Sequence, residues 1–274
     1  MILFIFEGKF QEPRIYKTLK SIFFPNLQEK DILHYFCSNI YALYKTMKEY
    51  DVFEDSADLV DILRAEAFKH PEIKTDLDKI KHSYEISEIY LFFDYDIKKE
   101  SDHNKLTIDD QNKQVEELLN YFNDETKGKL YIDYPMIESF RYFKNPLPDE
   151  DYKDYTVDVF IDGKFKQKAA QDSYYKNLND LCFSYNKTGQ VKLPKDKNQI
   201  DVIKKNWLHI IDLNIKKANF ITKHKFEFPM NKKDVSQNEI FINQVNNYVI
   251  EKNQIAILNS FPLWLYEYFD ENKL

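Results

Sequence analysis

The sequence predicts an α/β fold: a Rossmann-like parallel sheet followed by an appended, mainly helical C-terminal region. Two continuous apolar runs, Ile2–Phe6 and Glu88–Phe93, are typical of strands buried on both faces of a parallel sheet. Helical patterns alternate with these and other short strand patterns up to about residue 145, as expected of βα units. Beyond that point the chain becomes rich in Lys and Asn and its apolar residues recur at helical spacing.

The elements of residues 1–145 follow from local patterns. Pro13 stands at a first-turn position and apolar residues recur after it, which predicts a helix from about Glu12 to Phe24. The other predicted elements are, in order, strand Asp31–Cys37, helix Ile40–Glu49, helix Ser56–Lys69 with Ser56 as N-cap, strand Glu88–Phe93, helix Val115–Phe122, strand Lys129–Ile132 and a helix beginning within Pro135–Tyr142.

The C-terminal region spans residues 146–274 and follows a candidate linker, Asn145–Asp151, that contains two prolines. Its predicted elements are helical segments over Tyr174–Tyr185, Gln199–Phe220 and Gln237–Ile250, and an apolar stretch, Ile255–Phe269, broken at Pro262. The sequence therefore predicts two regions, an α/β domain and a helical one.

Composition excludes several classes of site. The chain has 4 Gly, none near another, so it lacks a dinucleotide fingerprint and a phosphate-binding loop of the Walker type. Its 2 Cys are far apart and form no CxxC pair, which argues against a disulfide framework or a thiolate zinc site. The N-terminal apolar run is too short for a signal segment or a membrane span. We therefore expect a soluble, cytoplasmic protein.

Charge is unevenly distributed along the chain, whose formal net charge is -7. Residues 164–233 hold 16 Lys against 6 acids, whereas residues 1–150 are acidic. This distribution fits a nucleic-acid enzyme that holds carboxylates at a metal centre and cations on another face. It fits equally a chain whose lysines are ordinary solvent-exposed side chains with no binding role.

Carboxylates follow the predicted strands where each strand ends. Glu7 and Gly8 come directly after the first strand, and Asp94 and Asp96 end the strand over residues 88–93. Ligands of open parallel sheets bind at this edge, and clustered carboxylate oxygens suit Mg²⁺ or Mn²⁺. Glu138 follows the next strand and could reach the same edge. Each acid has an ordinary alternative, as a solvated loop residue or, for Glu138, as a first-turn acid that complements a helix dipole.

The segment FIFEGKFQE, followed some ninety residues later by YLFFDYD, resembles the TOPRIM domain of type IA topoisomerases, bacterial primases and OLD-family nucleases. In that resemblance Glu7 matches the family Glu, and Asp94 and Asp96 match its D-x-D pair. The segment YPMIESFRYF is similar to the stretch after the last strand in OLD-like and PARIS-type proteins, with Glu138 as a further acid. The resemblance covers residues 1–145.

The resemblance implies a metal-dependent nuclease that cleaves phosphodiester bonds of DNA or RNA with Mg²⁺ or Mn²⁺. The implied catalytic and metal-binding residues are Glu7, Asp94, Asp96 and Glu138. Candidate contacts to the substrate phosphate are Lys9, Lys98 and Arg141, which lie near these acids in sequence. OLD nucleases carry an Asp four residues after the Glu, where this chain has Gln11 and then Glu12, so the number of metals stays open.

The whole chain looks most like stand-alone TOPRIM proteins of bacterial anti-phage, abortive-infection systems. A toxic effector of this kind would be controlled by a separate ABC/SMC-like ATPase, since the chain has no nucleotide-binding loop. The alternative is a non-catalytic TOPRIM-like interaction subunit that docks to such an ATPase. The substrate, the trigger and a homo-oligomeric state remain open at the level of sequence.

Overall fold

The computed structural model describes residues 1–25, 31–53, 58–69, 77–101, 105–145, 147, 149–161, 163–185, 191–192, 194 and 196–268. The chain forms two compact units. The first unit comprises Met1–Pro13, Leu27–Asp94 and Lys98–Tyr131, and the second comprises Arg14–Asn26, Tyr95–Ile97 and Ile132–Leu274.

A five-stranded sheet forms the centre of the α/β fold. Its strands lie in the order β2-β1-β3-β5-β4. Strand β1 pairs in parallel with β2 and with β3, and β4 pairs antiparallel with β5. The bounds are β1 Ile2–Phe6, β2 Asp31–Tyr35, β3 Glu88–Asp94, β4 Asn123–Asp124 and β5 Gly128–Asp133. The predicted α/β class with a mostly parallel sheet is confirmed.

Strand β1 lies between β2 and β3, and all five of its residues are buried. Its aromatic side chains pack on those of β3: the ring centroids of Phe4 and Tyr90 are 5.4 Å apart, and those of Phe6 and Phe92 are 5.6 Å apart. The register pairs Phe6 with Phe92, so the two strands end at the same edge of the sheet. This register determines which residues meet at that edge.

Four helices accompany the strands of the sheet: α1 Gln11–Phe23, α2 Ile40–Glu49, α3 Leu59–Lys69 and α4 Ile108–Tyr121. Helix α2 has the predicted bounds, and Asn39 Oδ1 caps it by accepting from the Ala42 N–H at 3.0 Å. Helix α4 begins seven residues before the predicted Val115, because Thr107 and Asp110 form a capping box there. The predicted cap at Ser56 lies outside the described residues.

The second unit is mainly helical where it is described after residue 160. Its helices are α5 Lys164–Asp172, α6 Lys197–Lys223, α7 Gln237–Gln244, continued by a π-helix over Val245–Ile250, and α8 Ser260–Tyr268. Its short antiparallel strand pairs are β6 Thr156–Asp158 with β9 Gln254–Ala256, and β7 Ser184–Tyr185 with β8 Val191–Lys192. The helices predicted over Gln199–Phe220 and Gln237–Ile250 are confirmed.

The helix prediction over Tyr174–Tyr185 is wrong, and the helix prediction within Pro135–Tyr142 is wrong as well. Residues Tyr174–Tyr185 contain a 3₁₀ turn and a strand rather than a helix. Backbone carbonyls that a helix would use accept instead from distant side chains: Leu181 from Trp207 Nε1 at 2.6 Å, and Phe183 from Arg14 Nε at 2.7 Å. These tertiary hydrogen bonds override the local pattern.

The helix predicted within Pro135–Tyr142 is a 3₁₀ helix over Ile137–Arg141. Leu258, which follows β9, exchanges two backbone hydrogen bonds with Tyr134 before this helix and accepts a third from Ser139 Oγ within it. Pro262 does not break α8, since it lies in the first turn, where a helix needs no backbone N–H.

None of the helices in the described part of the chain is long and apolar enough to cross a membrane.

Candidate functional site

Glu7 leaves the sheet at the carboxyl end of β1. Its backbone N–H donates to the Phe92 carbonyl at 3.1 Å, and its own carbonyl accepts from the Cys37 N–H at 2.9 Å. The main chain of Glu7 is therefore held from both neighbouring strand ends. A half-buried residue fixed in this way presents its side chain at the edge where open parallel sheets bind ligands.

The side chain of Glu7 reaches the end of β3. Glu7 Oε2 accepts from the backbone N–H of Asp94 at 3.0 Å, although the two residues are 87 positions apart in sequence. Both belong to the first unit and both are half-buried. The structure thus brings together two of the four predicted site acids, and an N–H donor orients the Glu7 carboxylate.

Glu12 is a further acid beside Glu7, on the first turn of α1. Its Oε1 accepts from the Gly8 N–H at 2.9 Å, and the residue is only 6% exposed. In the sequence Glu12 marks the predicted start of a helix and a departure from the OLD pattern, and no role in the site was predicted for it. A signal for it was present in the sequence: an acid in the first turn after a strand–Glu–Gly segment is placed to bond the N–H groups of that turn.

The turn between β1 and α1 also carries Lys9, a candidate phosphate contact, and Phe10. Both are exposed, Phe10 by 78%.

Lys98, another candidate phosphate contact, is held in place through its main chain. Its N–H donates to Gln111 Oε1 at 2.9 Å and its carbonyl accepts from Gln111 Nε2 at 2.8 Å. The Gln111 side chain therefore fixes the loop after β3, while the Lys98 side chain is half-buried.

Asp96 belongs to the second unit and is half-buried. Its backbone N–H donates to the Pro135 carbonyl at 3.2 Å, three residues before Glu138. Within the second unit, Asp96 is therefore hydrogen-bonded to the chain segment that leads into the 3₁₀ helix bearing Glu138.

Glu138 is buried, with a side chain only 5% exposed, and its Oε1 lies 3.5 Å from Lys166 Nζ on α5. Burial lowers the pKa of the Arg141 guanidinium from its usual value, and the nearby Glu138 carboxylate acts in the opposite direction. Glu138 thus has an exposed lysine within ion-pair distance and a buried guanidinium nearby. Arg141 itself is only 7% exposed.

The candidate metal ligands in the first unit are Glu7 and Asp94. Among the residues that the structure describes, no three His, Cys, Asp or Glu side chains are grouped so that they could hold a metal ion. Glu7 and Asp94 both carry hard carboxylate oxygens, and the Glu7 carboxylate lies against the backbone amide of Asp94. Mg²⁺ typically binds proteins through one or two carboxylates and completes its coordination with water and substrate phosphates, so this pair fits it.

Comparisons with protein-family models, with curated proteins and with solved structures gave no match for this chain.

Proposed function

We propose that the chain is a TOPRIM-like nuclease that cleaves phosphodiester bonds of DNA or RNA with Mg²⁺ or Mn²⁺. The observation that carries the proposal is the hydrogen bond between Glu7 and the Asp94 amide, which joins the two halves of the sequence motif at one sheet edge. A strand-end Glu beside the first acid of a D-x-D pair is the arrangement that the sequence resemblance implies.

In this proposal Glu7 and Asp94 hold the cation, and Asp96 and Glu138 are the further acids of the motif. A bound Mg²⁺ would polarise the scissile phosphate and stabilise charge on the attacking and leaving oxygens. The protein's own part is positioning. The Asp94 amide keeps the Glu7 carboxylate in one orientation, and the Glu12–Gly8 hydrogen bond fixes the turn that follows.

Cations supply the contacts to the nucleic-acid backbone. Lys9 is exposed on the turn beside Glu7, and Lys98 follows the D-x-D segment. In the second unit, Lys164 and Lys166 are exposed on α5, and Lys166 is paired with Glu138. Lysine contacts to phosphate position a nucleic acid without reading its sequence, so the proposed cleavage has little sequence preference.

The proposed role is that of a toxic effector in bacterial anti-phage defence, with activity controlled by a separate ABC/SMC-like ATPase. This part rests on the sequence resemblance and on the lack of a nucleotide-binding loop in the chain.

The nuclease assignment is tested by cleavage of single-stranded DNA, duplex DNA and RNA in Mg²⁺, in Mn²⁺ and in EDTA. Glu7→Gln retains an oxygen that can accept from the Asp94 amide but removes the charge, and Asp94→Asn removes a charge in the same way. We expect each to lower metal-dependent cleavage by ~100-fold or more. Glu116, an exposed acid on α4, gives the matched control Glu116→Gln, which should cleave like the wild type. Equal activity in all four proteins would overturn the assignment.

A second candidate is a non-catalytic TOPRIM-like subunit that docks to a partner ATPase. It is favoured by the cation-rich surroundings of Glu138 and by the lack of a three-acid metal group among the described residues. This candidate predicts that the wild type shows no metal-dependent cleavage of any of the three substrates, and that its affinity for Mn²⁺ equals that of Asp94→Asn.

A further inference from the structure

An apolar groove of about 590 Å³ opens on the second unit, and its lining includes none of the residues that the proposed nuclease uses. One wall is helix α6, with Leu208, Ile211 and Ile215 at helical spacing. The opposite side is the segment 228–230, and Tyr266 of α8 completes the lining. All of these residues belong to the second unit.

The lining of the apolar groove includes three large apolar side chains that face solvent. Leu208 is 37% exposed, Phe228 is 47% exposed and Met230 is 94% exposed. A single exposed apolar residue is ordinary, but three that line one concave surface mark an interaction site. Methionine also adapts its shape to a partner better than branched or aromatic side chains do.

The rim of the apolar groove is basic. Lys216 Nζ lies 5.6 Å from the centroid of the Phe228 ring, and Lys232 Nζ lies 5.1 Å from that of the Tyr266 ring. Lys204 is exposed one helical turn before Leu208, on the same face of α6. Over residues 197–233 the chain carries nine Lys against three acids. One acid, Asp212, lines the groove, and its Oδ2 is 2.9 Å from Lys216 Nζ.

We propose that the apolar groove docks an amphipathic helix of a partner protein whose apolar stripe is flanked by Asp and Glu. Of the α6 stripe formed by Leu208, Ile211 and Ile215, only Leu208 is exposed, so the apolar face of the incoming helix meets Leu208 together with Phe228 and Met230. The basic rim selects an acidic partner by charge complementarity. This inference does not rest on the proposed nuclease activity.

The probes are two fluorescein-labelled 18-residue helical peptides with the same leucine stripe, one with Glu and one with Lys on the flanking positions. Binding to the full chain is followed by fluorescence anisotropy. We expect the acidic peptide to bind at least ~10-fold more tightly than the basic one. Met230→Asp should weaken the acidic peptide by a similar factor, and Lys204→Glu with Lys232→Glu should abolish the preference between the two peptides.

The matched control is Val202→Asp. Val202 is 51% exposed on α6 but points away from the stripe that lines the groove, so this variant should bind like the wild type. Glu7→Gln should also bind like the wild type, which separates a failure of this proposal from a failure of the nuclease proposal.

Three results would overturn the docking proposal. One is equal binding, or none, of the two peptides to the wild type. Another is displacement of the acidic peptide by a single-stranded oligonucleotide in a Met230-dependent way, which would assign the groove to nucleic acid. The third is self-association in sedimentation velocity that Met230→Asp abolishes, which would assign the groove to a second copy of the chain.

Discussion

The backbone N–H of Gly8 donates a 2.9 Å hydrogen bond to Oε1 of Glu12, and this contact closes the turn that directly follows Glu7. Both oxygens of the Glu12 carboxylate lie 3.0 Å from the place where a Cβ on residue 8 would stand. A Cβ at position 8 would therefore crowd the buried Glu12 carboxylate, and Glu12 acts as a positioning residue for the Glu7 turn.

Gly8→Ala is predicted to displace the Glu12 carboxylate and to break this hydrogen bond. We expect the free energy of unfolding to fall by about 1–2 kcal/mol, measured by chemical denaturation. The matched control is Gly163→Ala, because no atom lies within 4 Å of the new methyl group there and the backbone is helical. A Gly8→Ala protein as stable as the Gly163→Ala protein would show that the Glu12 contact does not constrain the turn.

Glu138 gives a prediction that separates an ion-pair role from a metal-ligand role. Glu138→Gln removes the charge beside the buried Arg141 guanidinium, and we expect a loss of about 2 kcal/mol or more in the free energy of unfolding. Lys166 is 70% exposed, so Lys166→Gln should cost less than about 0.5 kcal/mol. Unchanged stability of Glu138→Gln together with lost metal-dependent cleavage would instead assign Glu138 to the metal.

Because the His34 imidazole is buried, we predict that the free energy of unfolding depends on pH. His34 lies on β2, and burial lowers the pKa of its imidazole to about 4, against about 6.5 in an unfolded chain. Between pH 4 and pH 6.5 the unfolded state binds more protons than the folded state. The free energy of unfolding is therefore highest above about pH 6.5 and decreases as the pH falls towards 4. We expect the wild type to lose about 2 kcal/mol more than His34→Leu between pH 7 and pH 5, by urea denaturation. Parallel curves for the two proteins would contradict this.

Lys217 is fully buried, and we predict that its replacement lowers the free energy of unfolding. Its Nζ donates to the carbonyls of Tyr152 and Tyr155 at 2.8 and 2.7 Å, and burial lowers its pKa well below the usual value. Lys217→Met leaves both carbonyls without this donor, which should cost about 1–3 kcal/mol in the free energy of unfolding.

The neighbouring residue gives the control for Lys217. Lys216→Met removes a partly exposed ion pair with Asp212 and a cation near the Phe228 ring, and it should cost less than about 1 kcal/mol. Equal losses for the two variants, compared by thermal denaturation, would be inconsistent with a structural role for the buried ammonium group.

The centre of the sheet could be predicted from the sequence because β1 and β3 are apolar runs followed or ended by an acidic residue. Ile2–Phe6 has the predicted bounds, and Glu88–Asp94 extends one residue past them. The convergence of Glu7 and Asp94 followed from one rule, that parallel strands end at the same edge. That part of the site was thus predictable from local pattern and topology.

What could not be predicted depends on hydrogen bonds between distant residues. The chain over Tyr174–Tyr185 has a helical pattern, but Trp207 and Arg14 use its carbonyls. Asp133, a strand-end acid that the site hypothesis did not include, accepts from Asn259 Nδ2 at 2.7 Å and from the Ser260 N–H at 2.8 Å. No local pattern indicates which distant donor a carbonyl or carboxylate will meet.

The most direct test of the proposed metal site is a Mn²⁺ titration of the wild type and of Asp94→Asn, followed by electron paramagnetic resonance of the free ion. Because Mn²⁺ favours the same oxygen ligands as Mg²⁺, it reports on the Glu7–Asp94 pair without requiring a substrate. The proposal predicts that the wild type binds Mn²⁺ at least ~10-fold more tightly than Asp94→Asn. Equal affinity in the two proteins would contradict it.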